Sequence, residues 1–206
     1  FFIEVKMDIK IANRVLIKLG EEPIGSIKET PFGPTMEYVY NDLRKSLLSM
    51  YPWRFAIETR ELAPVEEEES YLGHKFLLPA DCLMFLGIGE IYKPDDLRDI
   101  RLTSGEQYQI RGREIYSIFN PLHVRYIKDV KEENDFSALF REALICKIAS
   151  ELTTKVHQNP QLRNLFEQEF AQRISEAMQH NEIIQDIQQL RDNSWVSIRE
   201  GWNNGD

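Results

Sequence analysis

The fold is decided by DFSALFREALICKIASELTTKV, the stretch from Asp135 to Val156. Its apolar residues recur at three- and four-residue spacing, which is the pattern of an amphipathic helix. The positions that make the stripe are Phe136, Leu139, Phe140, Ala143, Leu144, Ile148 and Leu152. The pattern predicts a helix that runs to about Val156.

A second apolar stripe follows at once. Asn159 and Pro160 supply an N-cap residue and then a proline at the first helical position, which is a typical helix start. The stripe continues from Leu162 to Leu190 and predicts a helix from about 160 to 191. At about 1.5 Å per residue such a helix is about 45 Å long, more than the diameter of a small domain. We therefore expect part of it to pack on something beyond a single small domain.

Two shorter helices are predicted upstream. Residues Asp8 to Leu19 form an apolar stripe that ends at Gly20, and Thr35 to Met50 form another that ends before Pro52. The residues between them are rich in glycine and proline, which favours a loop.

The middle of the chain has a different pattern. Residues Phe55 to Leu62 fit a short strand or an extended segment, and the run Glu66 to Glu69 is typical of a solvated loop. Short strands are predicted at Tyr108 to Arg111, Glu114 to Phe119 and His123 to Ile127. These patterns indicate a small β-rich insertion.

The sequence therefore predicts a mainly α fold, an antiparallel helical bundle with a small β-rich insertion and an extended C-terminal arm. The expected parts are an N-terminal extension at 1–7, a bundle formed by 8–62 and 129–192, an insertion at 63–128 and an arm at 193–206.

Composition excludes several classes of protein. Hydrophobic residues make up 42% of the chain and charged residues 29%, which is typical of globular proteins. The net charge of -9 argues against a surface that grips nucleic acid. The two cysteines, Cys82 and Cys146, are interpreted as buried reduced thiols, and the four histidines lack the spacing of metal ligands. We expect no metal, no cofactor and no membrane-spanning segment.

The order of several motifs resembles a known family. The motifs are LGEEPIGSIKE (Leu19 to Glu29), LLSMYPWRFAIETREL (Leu47 to Leu62), FLLPADCL (Phe76 to Leu83), PLHVRYIKDV (Pro121 to Val130), the helical stretch quoted first, and SWVSIREG (Ser194 to Gly201). In this order they resemble the phage tail tubular protein A and tail accessory factor families, which form the adaptor ring beneath the portal. The resemblance covers about residues 8 to 201 and fails at the glutamate run and in residues 93–120.

The resemblance implies a structural role in a tailed bacteriophage. It implies that the chain assembles with itself in a closed ring, twelvefold in relatives. The portal protein lies above this ring and a downstream tail or nozzle protein below it. Genomic DNA would pass through the lumen without specific binding, and the ring would be part of the virion neck, assembled in the host cytoplasm.

The expected partner-binding residues lie in the arm: Trp195, Ile198, Arg199 and Trp202. Such an arm offers a few apolar anchors to a partner, although the two tryptophans fit packing on their own domain equally well. Contact with DNA in the lumen is a further option for four arginines in or next to the insertion: Arg98, Arg101, Arg111 and Arg113.

Two other functions are weighed against the adaptor. A virion-associated, peptidoglycan-cleaving glycosidase is the alternative, and it needs two carboxyl groups that face each other across a cleft. Its candidates are Glu58, Glu61 and Asp81, but the sequence marks no pair among them. A DNA-binding regulator would use a basic helix, for which the first helix offers the cations Lys10, Arg14 and Lys18. We expect no catalytic residues.

Overall fold

The structure is a computed structural model that describes residues 6–65, 73–91, 100–102 and 108–201. Residues 89–91, 100–102 and 184–201 are described by their backbone alone. The chain divides into two compact units, a helical unit of residues 1–47 with 131–206 and a β unit of residues 48–130.

The four predicted helices are present. Their bounds are Ile9–Lys18 for α1, Gly33–Met50 for α2, Ala138–Val156 for α3 and Pro160–Gly201 for α4. The described strands are β1 (Ile57–Leu62), β2 (His74–Leu77), β3 (Cys82–Ile91), β4 (Ile100–Leu102), β5 (Tyr108–Arg111), β6 (Glu114–Ser117) and β7 (Leu122–Lys128).

Helix α3 is the centre of the helical unit. Its four consecutive residues Ala143, Leu144, Ile145 and Cys146 are all buried, as expected for a helix that is covered on every side. It packs against α4 and against α1. The helix begins at Ser137, whose side chain accepts a hydrogen bond from the Phe140 amide at 3.2 Å. The stretch that decides the fold is therefore the core helix of this unit.

A tight turn joins α3 to α4. Gln158 adopts a positive φ of 49°, which ends the helical path of α3. The next residue, Asn159, accepts hydrogen bonds from the amides of Gln161 and Leu162 at 3.0 and 3.3 Å, and so caps α4. The cap and the following Pro160 start α4 where the sequence predicts it.

The β unit consists of two antiparallel sheets. The strand order is β1-β7-β3-β4 in the larger sheet and β2-β6-β5 in the smaller one. Their facing sides share one apolar cluster, to which Phe76 and Ile115 contribute from the small sheet and Ile88 and Tyr126 from the large sheet. Strand β3 follows β7 with two register irregularities, between Cys82 and Met84 and between Phe85 and Gly87.

The prediction of a mainly α bundle is wrong, and the fold is mixed α and β. Residues 55–62 were expected in the bundle, but 57–62 form β1, an edge strand of the large sheet, paired along its whole length with β7. The β unit comprises residues 48–130. The physical reason is that a possible strand was visible locally, but its partner β7 lies far along the chain, so the sheet to which it belongs was not.

The expected extended arm is also wrong over its first residues. The helical backbone of α4 continues to Gly201, beyond the predicted end near residue 191. Residues 191–200 contain neither glycine nor proline, so nothing in the local sequence stops the helix before Gly201. The remainder of the predicted arm, 202–206, lies outside the described residues.

Candidate partner-binding surface

Helix α4 is much longer than the helix on which it packs. It has 42 residues, whereas α3 has 19. At about 1.5 Å per residue these correspond to about 63 and about 28 Å. Helix α3 can therefore cover only about half of α4.

The N-terminal half of α4 is fixed to α1 and α3 by ion pairs. Glu167 contacts Lys147 of α3 at 2.7 Å, and Glu169 contacts Lys18 of α1 at 2.7 Å. Burial raises the pKa of Glu167, but hydrogen bonds from Lys147 and Ser150 outweigh it and hold that pKa below its usual value. The ammonium of Lys18 also lies 5.8 Å from the ring centre of Phe166. These contacts hold the first turns of α4 in one position.

The predicted partner-binding residues fall at the other end of α4. Trp195, Ile198 and Arg199 lie in its helical backbone, and Trp202 lies outside the described residues. The spacing of positions 195, 198 and 199 places them on one stripe of a helix. Helical geometry thus brings three of the four predicted positions together, which an extended arm would not do.

A cluster of buried polar groups in the helical unit was not predicted from the sequence. Arg44 is fully buried in α2, one turn after the buried Tyr40. A Glu133 carboxylate oxygen accepts a hydrogen bond from the amide of Asp8 at 2.9 Å, and Arg141 donates to the Glu133 carbonyl at 2.8 Å. The cluster ties the start of α1 to the segment before α3. The missed signal is Arg44, a charged residue at an apolar position of the α2 stripe.

Burial governs the protonation of this cluster. Burial raises the pKa of the Glu133 carboxyl, and the hydrogen bond from the Asp8 amide only partly opposes the shift. Burial also raises the pKa of the Tyr40 hydroxyl, and the nearby charge of Glu133 adds to that effect. These shifts follow from packing that closes the helical unit.

The three carboxylates considered for a glycosidase contact polar side chains of the β unit. Glu58 contacts Lys128 at 3.2 Å, and Glu61 contacts His123 at 3.2 Å. Asp81 accepts a hydrogen bond from the Tyr126 hydroxyl at 3.2 Å. Glu58 and Glu61 are three residues apart in β1, so they lie on opposite faces of the sheet. Each carboxylate thus has a structural partner.

The arginines considered for DNA contact also have local roles. Arg113 donates hydrogen bonds to the carbonyls of Leu78 and Pro79. The guanidinium of Arg111 lies 5.5 Å from the ring centre of Tyr116. Arg101 lies in β4, where only the backbone is described, and Arg98 lies outside the described residues.

The basic helix of the regulator hypothesis is largely neutralised. Arg14 contacts Glu142 of α3, and Lys18 contacts Glu169 of α4. Two of the three cations of α1 therefore pair within the helical unit instead of facing a duplex.

In the described part of the chain, no group of three histidine, cysteine or acidic residues is placed to hold a metal ion. Cys82 and Cys146 are free thiols, and burial raises the pKa of both. Among the described helices, none combines the length and the apolar character that crossing a membrane requires.

No model of a known protein family matches the chain, and no curated protein matches it either.

Proposed function

We propose that the chain is a non-enzymatic structural subunit of the head-to-tail adaptor of a tailed bacteriophage. In this proposal it forms a ring of twelve copies, as in the families it resembles, between the portal protein and a downstream tail or nozzle protein. Genomic DNA passes through the lumen without specific binding, and the ring belongs to the neck of the virion.

The observation that carries the proposal is the length of α4. Its first turns are held against α3 by the ion pair of Glu167 with Lys147, and against α1 by that of Glu169 with Lys18. The helix then continues to Gly201, about 34 Å longer than α3 at about 1.5 Å per residue. A helix that is anchored at one end and exceeds its partner in length suits a subunit that binds a neighbour in an assembly.

The end of α4 provides the contact residues in this proposal. Positions 195, 198 and 199 share a stripe of the helix and carry a tryptophan, an isoleucine and an arginine. Tryptophan and arginine are the residue types that contribute most often to the free energy of protein interfaces. The net charge of -9 suits a wall along which DNA moves, because a negative surface does not retain phosphate.

The experiment mixes the purified full-length chain with isolated portal rings. Sedimentation velocity measures binding, and negative-stain electron microscopy shows whether a second ring forms beneath the portal. We expect a ring of the chain stacked on the portal. The absence of any complex with folded protein would refute the adaptor role.

A pair of variants locates the contact. The double variant Trp195→Ala/Trp202→Ala should weaken portal binding by at least about tenfold, because truncation of interface tryptophans costs about 2 kcal/mol or more. The matched control is Tyr38→Ala, which truncates an aromatic residue that is 75% exposed on α2. Equal binding by both variants would show that the end of α4 is not the portal contact.

A further inference from the structure

The exposed residues of α4 carry no charge over more than four turns. Every exposed residue from 164 to 179 is uncharged, although charged residues make up 29% of the chain. The charges of this part of the helix are only partly exposed and form pairs, as in the contacts of Glu167 with Lys147 and of Arg173 with Glu176. Depletion of charge is the compositional mark of the centre of a protein interface.

The outer face of α4 is defined here by Leu165, Gln168, Gln172, Ser175, Gln179 and Ile183, all of them exposed. Leu165 and Ile183 are 56% and 57% exposed. They are separated by five full helical turns, so they point to the same side, about 27 Å apart. Amide and hydroxyl side chains lie between them, and the part-exposed Glu176 at the edge of this face accepts a hydrogen bond from the Gln172 amide at 2.9 Å.

These features favour a second copy of the chain as the partner that binds the outer face of α4. A face without cations has nothing to attract phosphate, which disfavours nucleic acid. Amide side chains both donate and accept hydrogen bonds, so a stripe of glutamine complements an identical stripe. In an antiparallel pair centred at the level of residue 174, Leu165 of one copy lies opposite Ile183 of the other. In this register each copy covers both exposed apolar side chains of the other, Leu165 and Ile183.

We propose that the free chain associates with a second copy through the outer faces of two antiparallel α4 helices. Copies in a ring are related by rotation about the ring axis, so their α4 helices do not run antiparallel across a two-fold axis. The pair is therefore a state of the free chain, and it does not depend on the adaptor function. Two helix faces bury less than the roughly 1,200 Å² of a standard interface, so the association is weak and depends on concentration.

The register supplies a sharp test. In the proposed pair, position 168 of one copy lies next to position 179 of the other. The variant Gln168→Lys/Gln179→Lys brings like charges together, and Gln168→Glu/Gln179→Lys brings opposite charges together. Within one chain the two positions are about 16 Å apart, beyond the screening length of about 8 Å at physiological salt.

The two variants are closely matched. Both carry the same lysine at 179, and the helical neighbours of position 168, which are Asn164, Leu165, Ala171 and Gln172, are uncharged. Glutamine, glutamate and lysine have similar helix propensities, so folding should be unchanged. Ser46→Glu is the control, because it adds a charge at an exposed position of α2. Circular dichroism melting verifies that every variant is folded.

Sedimentation equilibrium of the chain without portal, from about 1 µM to about 1 mM, measures the dimer dissociation constant. We expect the lysine–lysine variant to weaken the dimer at least about tenfold, and the glutamate–lysine variant and Ser46→Glu to match or exceed the wild type. A wild type that stays monomeric, a lysine–lysine variant that dimerises normally, or equal losses in both double variants would each overturn the antiparallel pair.

Cysteine cross-linking gives a second readout of orientation. Oxidation of a mixture of Leu165→Cys and Ile183→Cys should cross-link the two variants to each other, whereas each variant alone should match the wild-type background from Cys82 and Cys146. Cross-links of Leu165→Cys with itself would indicate parallel helices and overturn the proposal, as would the absence of cross-links above background. Portal binding is not measured in either experiment, so failure here is distinct from failure of the adaptor function.

Discussion

The two units of the molecule hold their carboxylates in opposite ways. In the helical unit, Glu133 is partly buried, and burial raises its pKa. In the β unit, Glu114 lies on the outer side of the small sheet, 2.9 Å from Lys75 and hydrogen-bonded to the Tyr116 hydroxyl at 2.8 Å. Hydrogen bonds from Lys75 and Tyr116 lower the pKa of Glu114. The comparison shows that one carboxylate is packed into the edge of a core, whereas the other lies on the solvated surface.

The cores of the two units also differ in whether they contain a buried charged residue. The helical unit closes around α3 and includes the fully buried Arg44. In the β unit the buried polar groups named among the described residues are uncharged: the Tyr126 hydroxyl, which donates to Asp81, and Ser117. We therefore expect substitutions in the helical unit to act through packing and burial of charge, and substitutions in the β unit to act through backbone geometry and surface pairs.

The largest expected effect is that of Phe140→Ala in the helical unit. Phe140 is fully buried in α3, so its truncation should lower the free energy of unfolding by about 4 kcal/mol. Urea denaturation followed by circular dichroism measures the loss. The control Tyr38→Ala removes a side chain that is 75% exposed and should change stability by no more than about 0.5 kcal/mol. Similar losses in both variants would show that α3 is not the centre of the unit.

The next effect concerns the backbone of the β unit. Gly73 and Gly112 both have positive φ, +92° and +63°, but only at Gly73 would a Cβ overlap another group, the Ser117 carbonyl. Gly112→Ala should cost about 1 kcal/mol from the left-handed conformation alone. Gly73→Ala should cost about 3 kcal/mol, because steric overlap adds to the strain. Equal losses in urea denaturation would contradict the close approach of residue 73 to β6.

A smaller effect is expected at the turn after β5. Arg113 donates to two carbonyls, those of Leu78 and Pro79, so Arg113→Ala should cost about 1 kcal/mol. Both bonds come from one guanidinium nitrogen, Nη2. Arg113→Lys should recover only part of this loss, because the flexible lysine side chain holds its ammonium less firmly at that point than the rigid guanidinium holds Nη2. Full recovery by lysine in thermal or urea denaturation would mean that charge alone, without the paired hydrogen bonds, stabilises the turn.

The sequence predicted the helices well because their signals are local. The apolar stripe from Phe136 to Leu152 and the Asn159–Pro160 start are contained within the helices that they predict. Residues 57–62 were recognised as a possible strand, but the sequence could not show that they pair with β7, about 65 residues away. The end of α4 was placed too early because residues 191–200 carry a weak apolar stripe but no helix stop.

The candidate site shows the same limit. The sequence identified Trp195, Ile198 and Arg199 by residue type. That they lie on one stripe could not be predicted, because it depends on α4 continuing through these positions. The Glu133 cluster was missed because it combines three distant segments, and only Arg44 on the apolar side of α2 hinted at it. The uncharged exposed residues of α4 could not be recognised from the sequence, because the structure is needed to show which residues of the helix are exposed and which charged residues form pairs.

The smallest expected effects are the pH dependences of stability that come from Glu133 and Glu114, and they test the difference between the two carboxylates most directly. For Glu133 the pKa is higher in the folded state, so its protonated form favours folding. Its contribution is fully present below the unfolded pKa and is lost as pH rises through the folded value. For Glu114 the folded pKa is lower, so its contribution is present above the unfolded pKa and is lost as pH falls.

The variants Glu133→Gln and Glu114→Gln remove each titration with little change in shape. Urea unfolding of both variants and the wild type, between about pH 3 and about pH 7, gives the stability of each variant relative to the wild type. This difference should become more favourable to Glu133→Gln as pH rises and less favourable to Glu114→Gln. Slopes of the same sign would mean that the carboxylates experience similar surroundings. In that case the carboxylate of Glu133 would accept the hydrogen bond from the Asp8 amide at a solvated surface rather than in a closed core.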